Sequence, residues 1–410
     1  METSTPDENG QFAKRQSRNF LFLNIGHFFD HFFMLIFATA TVVSLTTEWG
    51  MTYAELIPYA TPGFIAFGIG AIAAGWLADK WSRNAMMVVF FIGMGLASLL
   101  CATVSTPVGM SICLLLMGLF GAIYHPVGLS LVVQGREKTG MPLAINGIWG
   151  NVGVGAAALV TGFLVDNGGW RLAFIVPGLI SIAVGVAYYF FLKKHIGFAN
   201  EKAGAKKAAA GSGAMDAATL RRIFAIVIIT TAIGGLVFQS STFSLPKVFD
   251  ERLGTDLAGT ATTIGWWAFL VFTVAAIGQV IVGWLIDRYS IRTVFAIVAL
   301  LQCVLFLAMM SRSGTMALIV SVGFMLAVFG QIPINDVLVG RIAKSEWRSR
   351  MFAARYIVTF SVSAAAVPLI AWLHATRGFS TLFAVMAVAA AVIFAMTLLL
   401  PSRASAIAST

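Results

Sequence analysis

The sequence predicts an all-α integral membrane protein of twelve transmembrane helices, arranged as two pseudo-symmetric six-helix bundles. Three observations predict it. The 410 residues are 59% hydrophobic and only 11% charged, with a mean hydropathy of +0.89, far outside soluble composition. Apolar runs of about 20 residues, enough to cross ~30 Å of hydrocarbon, recur twelve times. One loop also returns: Gly75-Trp76-Leu77-Ala78-Asp79-Lys80-Trp81-Ser82 reappears 208 residues later as Gly283-Trp284-Leu285-Ile286-Asp287-Arg288-Tyr289-Ser290. A duplicated six-helix unit repeats its loops in register, the simplest source of such an offset.

Residues 1–18 form a polar tail of mixed charge. The first apolar run, 19–43, is full length, which predicts a retained helix rather than a signal peptide, whose apolar core is shorter. It carries His27, Asp30 and His31. Spacings of three and four put His27 on the same side of the helix as both. The second and third runs, 56–78 and 85–104, flank the Gly75–Arg83 turn. The fourth, 108–132, contains Tyr124-His125-Pro126, where the proline frees a carbonyl near residue 122 and permits a bend. Counted from the helix ends, His27 and His125 lie at similar depth. The fifth run, 143–165, holds Asn146, Trp149 and Asn151 among Gly147, Gly150, Gly153 and Gly155. These glycines serve close packing; with no strand before them they make no nucleotide loop. The sixth, 172–192, completes a bundle over 19–192.

Residues 193–219, rich in Lys, Ala, Gly and Ser, form a cytoplasmic linker whose composition suits two halves that move against each other. The second bundle, 220–400, comprises runs at 221–245, 262–286, 292–311, 315–339, 352–374 and 380–400, and a tail follows at 401–410. At the 208-residue offset Gln239 aligns with His31 and Phe238 with Asp30, so the seventh helix keeps polarity without a titratable group. Trp266 and Trp267 on the eighth either stack on a ligand or sit in an interfacial belt. On the tenth, Pro333 lies 207 residues after Pro126, among Gln331, Asn335 and Asp336, and Arg341 could neutralise Asp336. The pattern predicts a division of labour: the first half handles protons or charge, the second supplies neutral hydrogen bonds.

Charge placement sets the orientation. An even number of crossings puts both termini on one side, and the loops of that side hold 22 of the 27 Lys and Arg. The positive-inside rule places that side in the cytoplasm. The net charge of +10 follows from topology and anionic headgroups, without nucleic acid. Cys101, Cys113 and Cys303 lie in apolar runs with no paired spacing and read as small core residues.

The repeated loop resembles that of the major facilitator superfamily of secondary transporters: a glycine, an aspartate four residues on, and basic residues around the turn. Gly75, Asp79, Lys80 and Arg83 fit it, and Gly283, Asp287, Arg288 and Arg292 fit a weaker second copy. The resemblance implies a conformational latch at these residues and a central cavity lined by the first and fourth helices of the major facilitator fold. Within that superfamily the first half resembles fosmidomycin-resistance-type transporters, on His27 and Asp30, Tyr124-His125-Pro126 and Gly150-Asn151-Val152-Gly153. It departs after Pro126, where Val127-Gly128-Leu129 carries no acidic residue. That narrower resemblance implies export of a small polar or anionic compound.

Ionisable groups deep in a membrane span are costly and face a cavity or a partner. Three readings compete for the cluster: proton coupling through Asp30 with His27 and His31; binding of a transition metal or metal chelate by His27, Asp30, His31 and His125; and a structural polar network tying two helices. The expected substrate cavity comprises His125, Tyr124, Asn146, Asn151, Gln239, Gln331 and Asn335. The functional expectation is a secondary active transporter, working by alternating access without a cofactor. It would be a monomer in a bacterial inner membrane with both termini cytoplasmic, its partners being a small-molecule or ion substrate, protons and lipid. A siderophore-type metal carrier and a non-transporting sensor are the competing classes; no nucleophile–base pair suggests an enzyme.

Overall fold

A computed structural model describes residues 6–134, 136, 140–199, 217–342 and 348–400. Among the described residues, ten separate apolar helices are long enough to cross a membrane: α1 (Lys14–Trp49), α2 (Tyr53–Lys80), α3 (Arg83–Thr103), α4 (Pro107–Val133), α5 (Met141–Gly168), α6 (Trp170–His195), α7 (Arg221–Arg252), α8 (Ala261–Arg288), α9 (Ile291–Met309) and α10 (Gly314–Asn335). The helical stretch Arg348–Leu398 contains two more, because Gly378 breaks it at φ 71° and ψ −179°. A side chain rarely accepts that backbone; glycine does. The stretch is therefore two rods, α11 (348–377) and α12 (379–398), and the predicted twelve crossings stand. The start of α1 and the end of α12 lie on one face, the terminal face; the opposite face is the far face. The centre of the predicted linker, 200–216, and the tail 401–410 lie outside the described residues.

Several helices outrun their apolar sequence. α1 continues past residue 43 to Trp49 because Glu48 finds partners in the indole of Trp170 (2.5 Å) and Arg171 (3.0 Å). α7 continues past residue 245 to Arg252, with Val248 and Phe249 buried and Arg252 donating to the carbonyl of Met309 and to Ser380. α2 starts at Tyr53, where Thr52 and Glu55 cap each other's backbone N–H groups; this reciprocal box satisfies two orphan donors.

The packing repeats. In the first half α1 lies on α5, α2 on α4 and α3 on α6; in the second α8 lies on α10, while α7 and α9 pack on the Arg348–Leu398 pair. Small residues set the distances. A Cβ at Gly153 of α5 would fall 2.2 Å from the Phe28 carbonyl of α1, so only glycine allows that approach.

The two halves meet near the far face, where α5 crosses α8. A Cβ at Gly162 would sit 2.2 Å from the Ala261 carbonyl, and one at Gly265 would sit 2.3 Å from that of Ala158. Asp166, at the far end of α5, accepts from the backbone N–H of Thr262 (2.7 Å) and Ala261 (3.3 Å) and from the Thr262 hydroxyl (2.5 Å). A carboxylate at a helix N-terminus meets both orphan donors and the positive end of the dipole. The second far-face contact joins α2 to α11, with the ring of Tyr53 5.1 Å from that of His374. Toward the terminal face α5 loses its neighbours: Leu143, Ala144 and Ile145 are all exposed, covering more than half the helix circumference at 3.6 residues per turn. Among the described residues, the backbone-close approaches between the two halves lie toward the far face.

Candidate functional site

Helix α4 departs from α geometry where the sequence placed its proline. After Gly121 it widens into a π segment, Tyr124–Gly128, and resumes as Leu129–Val133. Inserting an extra residue into one turn re-aims the side chains around it, a frequent device at functional sites. The residue re-aimed here is His125. Its Nε2 lies 3.1 Å from Oδ2 of Asp30, which is fully buried on α1. The imidazole reaching Asp30 thus comes from the neighbouring helix, although His27 and His31 are closer in sequence.

His27 is directed elsewhere. Its Nδ1 lies 2.8 Å from the backbone carbonyl of Asn146; a carbonyl only accepts, so Nδ1 carries the proton and Nε2 keeps a lone pair. The ring stacks on Tyr124 at 4.9 Å and 19°. A Cβ on Gly150 would come 2.7 Å from Nε2, so this glycine provides the room the imidazole occupies. The Tyr124 hydroxyl donates to the Leu23 carbonyl (2.8 Å) and accepts from the Asn146 amide (2.9 Å), which also donates to Asn24 (2.9 Å). Both Tyr124 and Asn146 are at 0% exposure. Together these two hold His27 and tie α1, α4 and α5. Asn24, unremarkable in sequence, completes the network.

His31 closes the group, its ring 5.1 Å from His27 and 5.7 Å from His125. One ligand atom from each of His27, Asp30, His31 and His125 lies within 4.8 Å of all the others. These are the residues that could hold a metal ion. Asp30 and His27 are buried; His31 and His125 are partly exposed, so the cluster is open along one edge.

The second half supplies neutral groups. Gln331 Oε1 accepts from the Gln302 amide (2.8 Å), a buried glutamine of α9 that the apolar run concealed. Gln331 and Asn335 face Gly234 of α7, where a Cβ would fall 2.6 Å from Gln331 Nε2. Gly234 stands 208 residues after Gly26, and a Cβ on Gly26 would fall 2.8 Å from the Tyr124 ring. The helix-one glycine and its polar neighbour are thus duplicated, with tyrosine in one half and glutamine in the other. Gln239 and Asn151 are buried, their side-chain nitrogens without a hydrogen-bond partner. Pro333 lies within an unbroken helix, Gly314–Ile342, so the proline pair shares position but not geometry. Trp267 is tied to the Leu257 carbonyl (2.8 Å), whereas Trp266 is exposed. The side chains of Asp336 and Arg341 lie outside the described residues.

At the repeated loop, Arg83 Nη2 meets Asp79 Oδ1 at 2.7 Å, and a Cβ on Gly75 would touch Pro126 of α4 at 3.4 Å. The turn is therefore packed against the π segment that carries His125. In the second copy Arg288 folds back onto its own helix, over the Trp284 ring at 4.1 Å. Among the described residues, a Cβ on Gly283 would meet nothing within 4 Å.

The Major Facilitator Superfamily matches residues 23–259 and, in a second match, 248–409. The chain belongs to the Major Facilitator Superfamily. Together the two matches cover nearly the whole chain and overlap at residues 248–259. Superfamily relatives include a gallate transporter of Pseudomonas putida, 25% identical over 309 residues, 67% of each chain. A niacin transporter of Acinetobacter baylyi is 28% identical over 156 residues, 37% of this chain and 34% of that one. The chain thus spans about two thirds of the first relative's length and about a third of the second's. A bacterial homologue of the human lysosomal transporter Spinster, solved inward-facing and occupied, shares the fold at a TM-score of 0.75, with 13% identity and 97% of each chain covered. By fold and by relatives, this is a multi-pass membrane protein of the transporter type.

Proposed function

We propose that this superfamily member is a proton-coupled secondary active transporter of a small organic acid, with Asp30 and His125 as the coupling pair. The observation that carries the reading is the fully buried Asp30 carboxylate 3.1 Å from His125 Nε2. A buried carboxylate–imidazolium pair is neutral as a unit. One further proton leaves a net positive site, which His31 and His125 would present along the exposed edge to an anionic group. Proton and anion then bind together and leave together, which is the thermodynamic requirement for coupling. Gallate and niacin, named for two relatives, are aromatic carboxylic acids, and this supports the substrate class.

The test is Asp30→Asn in proteoliposomes with an imposed proton gradient, using gallate and nicotinate as first probes. We expect gradient-driven accumulation to be lost while exchange of labelled for unlabelled solute persists. Accumulation at the wild-type rate would end the coupling role of Asp30. The fosmidomycin-resistance-type resemblance favours a second reading, export by exchange with protons. There the solute and the proton compete for the cluster, and acidifying the solute side would weaken binding instead of strengthening it. Cytoplasmic placement of both termini in a bacterial inner membrane, supported by the distribution of basic residues, belongs to this proposal, as does action as a monomer.

A further inference from the structure

We propose that His27, Asp30, His31 and His125 form a binding site for a divalent transition-metal ion of the zinc class, one that fastens α1 to α4 when occupied. The inference concerns binding and stands apart from the transport reading. Its ground is the convergence of four ligand atoms, each within 4.8 Å of the rest. Ligands held 2.0–2.2 Å from a tetrahedral zinc are about 3.4 Å apart. Asp30 Oδ2 and His125 Nε2 are already 3.1 Å apart, and no other pair has more than about 1.4 Å to close.

Two further observations point to a ligand. His27 donates Nδ1–H to the Asn146 carbonyl at 2.8 Å. A metal-bound imidazole habitually spends its other N–H in this way, since the bond fixes the tautomer and leaves Nε2 as the donor atom. Asp30 is fully buried, and its Oδ1 lacks a hydrogen-bond partner. A desolvated carboxylate oxygen without a donor is expensive, and a cation would satisfy it. Three neutral imidazoles and one carboxylate suit zinc, cobalt or nickel, whereas magnesium and calcium prefer all-oxygen shells. Entry is available from the edge where His31 and His125 are partly exposed. An ion held there would use the lone pairs that a coupled proton needs, so zinc should also arrest transport.

The experiment uses the full-length protein, purified in detergent and stripped with chelator, and adds zinc chloride. We expect a saturable rise in melting temperature with one zinc bound per chain, no response to magnesium, and an intense tetrahedral cobalt spectrum on cobalt addition. His31→Ala, at the open edge, should lose the zinc response and the cobalt colour while melting close to wild type. Should that variant fold poorly, His31→Gln, which keeps a polar side chain at the open edge, provides the second probe, and His195→Ala, outside the cluster, should respond as wild type does. Absence of a zinc response in the wild type, or its persistence in His31→Ala, would overturn the site. Proton-driven uptake measured in chelator is indifferent to this result, so the site and the transport reading fail separately.

Discussion

His125→Ala would remove the imidazole 3.1 Å from a fully buried carboxylate. Leaving a buried carboxyl group without its hydrogen-bond partner costs about 1–3 kcal/mol. We expect a drop in melting temperature, and Asp30→Asn in the same background should recover much of it. If the double variant melts lower than His125→Ala by the full cost of Asp30→Asn, the two side chains do not interact. The cluster was partly legible at this scale. Ionisable residues are so unfavourable in an apolar run that His27, Asp30, His31 and His125 stand out on composition alone. Their pairing was not legible. Spacing along α1 favoured His27 beside Asp30, while the structure directs His27 to Asn146 and His125 to Asp30, because the π segment of α4 turns the latter inward. Asn24 and Gln302 were missed because single neutral amides are ordinary in membrane helices.

Among the helices, the far-face contacts follow the duplication. Asp166, at the end of α5, caps the start of α8; His374, 208 residues later at the end of α11, packs on Tyr53 at the start of α2. The two clasps are positional counterparts with different chemistry. One is a carboxylate on backbone N–H groups. The other is an imidazole that also bonds Glu251 at 2.8 Å. Asp166→Ala should weaken the first clasp by about 1–2 kcal/mol, the range for losing a helix cap, enough to shift a two-state population by roughly five- to thirtyfold. Spin labels on the far ends of α5 and α8 should then report a larger far-open fraction; an unchanged distance distribution would remove the clasp from the gate. Helix ends were the least legible elements. Glu48 and Arg252 looked like loop residues until their partners on α6 and α9 were in place. The Thr52–Glu55 box moves the start of α2 to Tyr53, three residues before the apolar run.

For the whole molecule, the placement of 22 of 27 basic residues on the terminal side predicts where that face lies. A fluorescent protein that matures only in the cytoplasm, fused after Thr410, should fluoresce in a bacterial host, and a periplasm-dependent reporter at the same position should stay silent. The opposite pattern would invert the orientation of the terminal face and of the transport cycle. Coupling between the faces is mechanical at this scale. The cluster is built from α1, α4 and α5, while α5 and α8 form the far-face crossing. A change that repacks His27 against Gly150 therefore acts on the same helix that carries Asp166.

The sequence by itself determined the membrane class, the count of twelve crossings and the twofold duplication. These depend on composition, run length and offset, which survive without knowledge of contacts. It also determined which ionisable residues lie at membrane depth, since each is conspicuous against an apolar background. Tertiary structure alone decided which imidazole faces Asp30, that Tyr124 and Asn146 hold His27 in place, and where the two halves approach most closely. Those outcomes depend on a widened turn in α4 and on glycine-mediated approaches between distant helices. The energies involved arise between residues about 100 positions apart, and no local pattern encodes them.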